Sequence, residues 1–255
     1  MNDPTQYPFP LFLLSFITLW FAAQCGLFLH RGKRALDSDA HEDFGVVLAG
    51  TLTLLGLVIG FTFSMATNRY DQRKAFEEAE ANAIGTEFVR ANLLPASDAA
   101  RVQVLLKQYL EQRVLFYETV DEQKLRQIDV STAQLQAQLW DAVKAPAAAQ
   151  PTPIVALVVA GMNDVLNSQG YTQAAWWNRI PKTAWALMAA IAVCSSVLLG
   201  YGSHGSKSGA MLLLVLPLVV SIAFALIADI DAPRHGLINV RAQNLHSLGE
   251  SLRAH

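Results

Sequence analysis

The sequence predicts an all-α membrane protein with four transmembrane helices and a helical cytoplasmic domain. Of the 255 residues, 53% are hydrophobic and only 16% are charged, whereas soluble domains carry about 25% charged residues. Four stretches reach the roughly 20 apolar residues that a membrane-spanning helix needs: 9–29, 45–66, 180–200 and 210–230. Elsewhere the apolar residues follow helical spacing, and no strand pattern of any length appears.

The apolar stretches divide the chain into four parts. Transmembrane helices 1 and 2 take residues 1–66, and the helical cytoplasmic domain takes residues 67–179. Transmembrane helices 3 and 4 take residues 180–231, and residues 232–255 form a cytoplasmic C-terminal amphipathic helix. The first stretch lacks a basic n-region and a small-residue cleavage site, so we expect a retained helix and no secretory signal.

The second apolar stretch carries the most specific pattern in the chain, because it runs into the charged residues 67–74 without a helix breaker. This is typical of a membrane helix that continues as a rod into water. At 100° per residue its side chains form two adjacent stripes: Thr53, Leu57 and Phe61 on one, and Gly56, Gly60 and Ser64 on the next.

The stripe of small residues indicates close helix packing. The partner is either another helix of the same chain or further copies of this helix around an axis. In the second case Thr53, Leu57 and Phe61 face a narrow lumen as a pore neck, and apolar constrictions of this kind gate by dewetting.

Beyond the membrane the predicted rod carries eight charged side chains. We expect most of them to be solvated or paired on the surface, while some could ring a vestibule and tune ion selectivity. The eight are Arg69, Asp71, Arg73, Lys74, Glu77, Glu78, Glu80 and Glu87. The buried face of the rod is predicted from its apolar residues, which are Phe76, Ala79, Ala83, Ile84, Phe88 and Ala91.

Two further carboxylates lie in or beside apolar sequence: Asp164 within an apolar helix, and Asp229 at the end of the fourth apolar stretch. Placing a carboxylate near hydrocarbon is costly, so such a residue indicates function. The candidates for a vestibule or selectivity site are therefore Asn68, Arg69, Arg73, Asp164 and Asp229. For Asp229 the simpler alternative is an ion pair at the helix end with Arg179 or Arg234.

Composition argues against several other functions. The net charge of −2 offers no basic excess for nucleic acid. Cys25 and Cys194 lie inside apolar segments and are expected to be small buried hydrophobes, with no disulfide. The histidines lack metal-ligand spacing, and the chain shows no phosphate loop, nucleophile elbow or paired catalytic carboxylates. We expect no enzyme activity, no metal and no cofactor.

Residues 57–73 resemble the bestrophin-like family of bacterial membrane proteins. So do residues 80–86, 93–95, 163–164, 179–181 and 229–234, and together these segments cover nearly the whole chain in order. The neighbourhoods of Gly60-Phe61 and Asn68-Arg69-Tyr70 are also similar to the neck helix of bestrophin anion channels. The chain departs from those channels at Tyr70-Asp71, where a tryptophan pair is common.

The resemblance implies a homopentamer with four transmembrane helices per subunit and cytosolic termini. It also implies that Leu57 and Phe61 are neck residues, with Thr53 one turn further out. A cytoplasmic domain agrees with the positive-inside rule, since seven basic residues near the membrane lie on that side and four on the other.

The leading hypothesis is an oligomeric ion channel in the bacterial cytoplasmic (inner) membrane. Its partners are membrane lipid, further copies of the chain and small inorganic ions, with anions favoured by the resemblance. One alternative is a non-conducting membrane scaffold or sensor whose helical domain binds a partner protein. Another is a transporter subunit that uses Asp229 or Asp164 as a proton-linked carboxylate.

Overall fold

The computed structural model describes residues 5, 7–31, 38–203 and 207–253, without the side chains at positions 30–31, 38–42, 207–210 and 212. Eight α-helices and no strand are found in these residues. The helices are α1 (Pro8–Arg31), α2 (Ser38–Arg90), α3 (Ala96–Glu118), α4 (Glu122–Ala149), α5 (Pro153–Trp177), α6 (Lys182–Gly202), α7 (Lys207–Asp231) and α8 (Gln243–Arg253). The side chains of the basic segment 30–34 and of Lys207, which entered the orientation count, lie outside the described part.

Four segments contain an apolar window long enough to cross a membrane: Pro8–Leu29, Asp43–Leu93, Pro153–Gly202 and Leu213–Asp231. The predicted all-α, four-span architecture is therefore confirmed. The second helix contains 53 residues and ends at Arg90, where a 3-10 turn over Ala91–Leu93 follows. Its apolar and charged parts form one unbroken helix, as the missing breaker predicted.

The chain forms two compact units. The first contains Met1–Arg69 and Arg179–Asn239, and the second contains Tyr70–Asn178 and Val240–His255. In the first unit α1 packs on α6 and α7. In the second unit, an apolar core is built from the last part of α2 together with α3, α4, α5 and α8.

Close helix packing within the first unit occurs at Gly26 and Gly200. A Cβ on Gly26 would overlap the carbonyl oxygen of Val197, and one on Gly200 would overlap that of Ala23. The absence of a Cβ therefore lets the backbones of α1 and α6 touch. Neither glycine was singled out from the sequence, which drew attention to the stripe on α2.

We expect Gly200→Ala to destabilise the first unit, because the new methyl group meets backbone atoms that no side-chain rotation can remove. Overpacking of this kind costs about 1–3 kcal/mol. Thermal unfolding in detergent measures the loss. Gly45→Ala is the matched control, because a Cβ there meets no described atom within 4 Å and alanine favours the helix. Equal unfolding temperatures for the two variants would contradict the close approach.

The two cysteines differ from their sequence-based expectation. Cys25 and Cys194 are both free, and both are exposed on the chain. They lie on the membrane-spanning helices α1 and α6, where an apolar solvent can cover a side chain that a single chain leaves exposed. Apolarity by itself could not distinguish a side chain inside the fold from one on the exposed side of a membrane helix.

Candidate functional site

The apolar part of α2 is the least covered membrane segment. Only 6% of its most apolar window is buried inside the chain, against 50% for the window of α7. A helix in the middle of a four-helix unit would bury far more of its surface. Most of this apolar segment of α2 is therefore free to contact something other than its own chain.

The predicted neck residues lie on the uncovered side of this helix. Leu57 is 53% exposed, Phe61 is 64% exposed, and Thr53 is also exposed. The opposite side of α2 carries its contact with the rest of the unit, because helical spacing places the buried Leu55, Thr62 and Ala66 there. The hydroxyl of Thr53 donates to the carbonyl of Ala49 at 2.8 Å, which leaves an apolar methyl group on the stripe.

The stripe of small residues is also open. No described atom of the chain lies within 4 Å of a Cβ placed on Gly56 or Gly60, and Ser64 is exposed. Glycine in a helix interior costs about 0.5–1 kcal/mol relative to alanine. That cost has no compensating contact within one chain, in contrast to Gly26 and Gly200.

At the end of this segment, Asn68 is exposed and Arg69 is half-buried. Nη1 of Arg69 lies 3.9 Å from Asp231, and Nε of Arg179 lies 3.5 Å from the same carboxylate. Asp231 is buried and also accepts from the backbone N–H of Ile180 at 3.2 Å. The ion pair expected for Asp229 is therefore made by Asp231, a residue that the sequence did not single out.

Asp229 is buried and acts within its own loop. Its two carboxylate oxygens accept from the backbone N–H groups of Leu237 at 2.6 Å and Ile238 at 2.9 Å. A Cβ on Gly236 would overlap the carbonyl oxygen of Asp229, so glycine lets the loop fold back this closely. Asp229 thus ties the chain leaving the membrane to the end of α7.

In the second unit, a stripe of charged residues on α2 is buried, contrary to the expectation of surface charges. Its members are Arg73, Glu77, Glu80 and Glu87, around the apolar Ile84. Of the predicted apolar face, Ile84 and Ala91 are buried, whereas Ala79 is exposed and Phe76, Ala83 and Phe88 are half-buried. Residues at intervals of 3 and 4 lie on one face of a helix. On the buried face of this part of α2 these positions are mostly occupied by charged residues, and not by the apolar residues that the sequence predicted.

Arg73 and Glu77 bind the ends of two other helices. Arg73 donates from Nε to the carbonyl of Ala175 at 3.2 Å and from Nη2 to that of Asn178 at 3.3 Å, at the C-terminus of α5. Glu77 accepts from the backbone N–H groups of Asn244 and Leu245 at the N-terminus of α8. Both charges complement the helix dipole they meet. Because it is buried in this way, Arg73 has no surface with which to line a vestibule.

Glu80 lies at the centre of the second unit and pairs with Arg113 of α3 through Nε. Its other oxygen accepts from the hydroxyls of Tyr117 and Thr172, each at 3.2 Å. Arg113 also lies over the ring of Phe116, 4.4 Å from its centre. Burial and the charge of Glu80 both raise the pKa of Tyr117, which keeps its hydroxyl a donor at all physiological pH values.

Asp164 is exposed on α5. Among the described residues no group of three or more His, Cys, Asp or Glu side chains could hold a metal ion. The structure thus separates the candidates into two sets. Thr53, Leu57, Phe61, Gly56, Gly60, Ser64 and Asn68 form an exposed surface on α2, whereas Arg69, Arg73 and Asp229 hold the fold.

Comparison with known proteins agrees with this architecture. A crystal structure of a bacterial bestrophin homologue from Klebsiella pneumoniae superimposes with a TM-score of 0.67 and 12% sequence identity, over 96% of each chain. A single-site variant of that homologue gives a TM-score of 0.66 at 12% identity, over 95% of this chain and 97% of the other. No curated protein matches the sequence.

The low identity means that the superposition by itself shows the fold alone. The sequence match is more specific, because the family model of the bestrophin-like domain covers residues 12–245. That range includes the exposed surface of α2 and the buried charged stripe. The chain is a multi-pass membrane protein and belongs to the bestrophin-like family.

Proposed function

We propose that the chain is the subunit of a homopentameric ion channel whose pore follows α2. Thr53, Leu57 and Phe61 form its apolar neck, and Asn68 lines the vestibule beyond it. Gly56, Gly60 and Ser64 pack against the neighbouring copies. Membership of the bestrophin-like family supports a channel at the level of the family, and anions are preferred because of the resemblance to bestrophin anion channels.

The observation that carries this proposal is the open face of α2. An apolar stripe and a stripe of small residues lie side by side on a helix whose window is only 6% buried. A helix that lines a lumen needs both surfaces, because it faces the axis with one and its neighbours with the other. Lipid alone would account for exposed leucine and phenylalanine, but it gives no reason for the open glycines.

The other functions have less support. In a non-conducting scaffold the small-residue stripe would pack inside one subunit, so Gly56 and Gly60 would contact another helix of the same chain. No atom of another described helix lies within 4 Å of a Cβ placed on either glycine. A proton-linked transporter would need an available carboxylate in the membrane unit. Both oxygens of Asp229 already accept backbone hydrogen bonds, and Asp164 belongs to the second unit.

We further propose that the helical domain and both termini lie in the bacterial cytoplasm. With four spans these parts share one side of the membrane, and the positive-inside rule predicts that this side is the cytoplasm. Labelling of single cysteines introduced at Val104 and Leu237, in a chain whose exposed Cys25 and Cys194 are replaced by alanine, tests this placement. Both positions are exposed and fall on the same side of the proposed membrane. Reaction from outside intact cells would reverse the orientation.

The mass of the purified protein in detergent, followed by ion flux in liposomes, tests the channel directly. We expect an assembly of five copies and a flux that depends on the protein. A monomer or dimer would overturn the proposal, since two α2 helices cannot enclose a lumen, and it would favour the scaffold. A pentamer without flux of chloride or sodium would equally reject a channel.

We expect Gly60→Leu to break the assembly while leaving the subunit folded. The new side chain projects into space that is open in one chain but is filled by a neighbouring copy in the proposed channel. Mass measurement should shift from the pentamer towards the monomer, with unchanged helicity. Gly170→Leu is the control, because Gly170 is equally open and lies on α5. A pentameric Gly60→Leu variant would exclude this stripe from the interface.

A further inference from the structure

Glu87 differs from the other acidic residues of the buried stripe on α2. Glu77 accepts from two backbone N–H groups and from the side chain of Asn244, and Glu80 accepts from three side chains. Glu87 is fully buried, yet neither of its carboxyl oxygens has a hydrogen-bond partner among the described residues. An ionised carboxylate in such a place is expensive, whereas the neutral acid costs much less.

The carboxyl group of Glu87 packs directly on α5. A Cβ on Gly161 would overlap Oε2 of Glu87 and would also meet Nη1 of Arg90. Gly161 is therefore the point where the last turns of α2 press against the backbone of α5. Any change in the charge or hydration of Glu87 acts on this contact, because no side chain of α5 separates the two.

The charged groups that act on Glu87 are Arg90 of α2 and Asp164 of α5. Arg90 lies one turn further along α2, and Asp164 lies one turn beyond Gly161 on α5. On α3, the ammonium group of Lys107 lies over the ring of Phe88, the neighbour of Glu87, at 5.4 Å from its centre. Burial is the main influence and raises the pKa of Glu87 to about 8, because the lowering by Arg90 is opposed by Asp164.

We propose that Glu87 is a proton-binding site whose occupancy controls the packing of α2 on α5 in the second unit. With the proton bound, the neutral carboxyl group fits against Gly161. After the proton leaves for solvent, the carboxylate must recruit water or the guanidinium of Arg90. Either movement separates the two helices. The site therefore makes this part of the helical domain responsive to mildly alkaline pH, and it does so whether or not the protein conducts ions.

Infrared spectroscopy of the full-length protein in detergent tests the site directly. We expect a carbonyl stretching band of a protonated carboxyl group at about pH 6, and its loss on titration with a midpoint near pH 8. Glu87→Gln should remove the band. Glu78→Gln should keep it, because Glu78 is an exposed residue of the same helix. Absence of the band at about pH 6, or its survival in Glu87→Gln, would overturn the proposal.

Stability gives a second measurement with a defined sign. The pKa of Glu87 is higher in the folded protein, about 8, than its ordinary value of 4.5. The contribution of Glu87 to the free energy of unfolding is therefore fully present below about pH 4.5 and is lost as the pH rises through about 8. The unfolding temperature of the native protein and of Glu78→Gln should fall over this window, and Glu87→Gln should lack that component. An unchanged slope in Glu87→Gln would contradict the coupling.

Hydrogen exchange locates the effect, and Asp164→Asn keeps the proposal testable if Glu87→Gln fails to fold. Above about pH 8 the amides of α5 near Gly161 should exchange faster in the native protein than in Glu87→Gln at the same pH. Because Asp164 raises the pKa of Glu87, Asp164→Asn should move the infrared midpoint to lower pH. A midpoint that does not move would overturn the assignment of these neighbours.

Discussion

Phe61→Ala is expected to increase ion flux on the order of tenfold. Phe61 is 64% exposed, compared with 53% for Leu57. An aromatic ring repeated around an axis narrows the lumen and favours its dewetting. Truncation to a methyl group widens the constriction, and lowering the barrier by about 1.4 kcal/mol suffices for a tenfold rate. Liposome flux of chloride and sodium, measured separately, gives the size of the effect and the preferred ion.

Phe63→Ala is the matched control for this experiment. Phe63 is also an exposed aromatic residue of α2, at 40%, but helical spacing directs it about 200° away from Phe61. It should therefore alter lipid or subunit contacts without changing the width of the neck. If the two variants conduct equally, or if Phe61→Ala leaves the flux unchanged, Phe61 does not form the constriction.

Arg113→Met is expected to destabilise the second unit by about 3–5 kcal/mol, because it leaves Glu80 buried without its countercharge. Tyr117 and Thr172 would remain as donors, but they carry no charge. Chemical denaturation followed by circular dichroism measures the loss. Arg101→Met on the same helix is the control, because Arg101 is exposed and its substitution should change stability by less than about 0.5 kcal/mol.

The double variant Glu80→Leu with Arg113→Met separates the cost of a stranded charge from the value of the pair. Replacing a whole buried ion pair by apolar residues is often neutral, whereas removing one partner is not. We therefore expect the double variant to be more stable than Arg113→Met alone. A double variant that is the less stable of the two would show that the pair itself contributes strongly to stability.

The residues that form the membrane helices could be identified from the sequence because hydrocarbon imposes a simple requirement. A span needs about 20 apolar residues, and four stretches satisfied it. The absence of a breaker between residues 66 and 67 likewise predicted that α2 would continue into water, which it does as far as Arg90. The two stripes on this helix follow from helical geometry alone, although their roles as neck and interface remain predictions.

The buried charged stripe could have been suspected from the spacing of Arg73, Glu77, Glu80 and Glu87, which matches one face of a helix. The buried face was instead predicted from the apolar residues, because charged residues are rarely buried without a partner. Three of the four have partners from far along the chain: Ala175 and Asn178 for Arg73, Asn244 for Glu77, and Arg113 and Thr172 for Glu80. Glu87 has no hydrogen-bond partner among the described residues. Local sequence contains no trace of such pairings.

The sequence by itself thus determined what the hydrocarbon of the membrane selects, which is the number of spans, the unbroken α2 and the family pattern. Tertiary structure alone decided which charges are inside, that Asp231 and not Asp229 makes the ion pair, and that Gly26 and Gly200 join the helices of one chain. The reason is physical. Transfer of an apolar side chain depends mainly on its own surface, whereas a buried charge is tolerated only when a specific partner, distant in sequence, compensates its lost hydration.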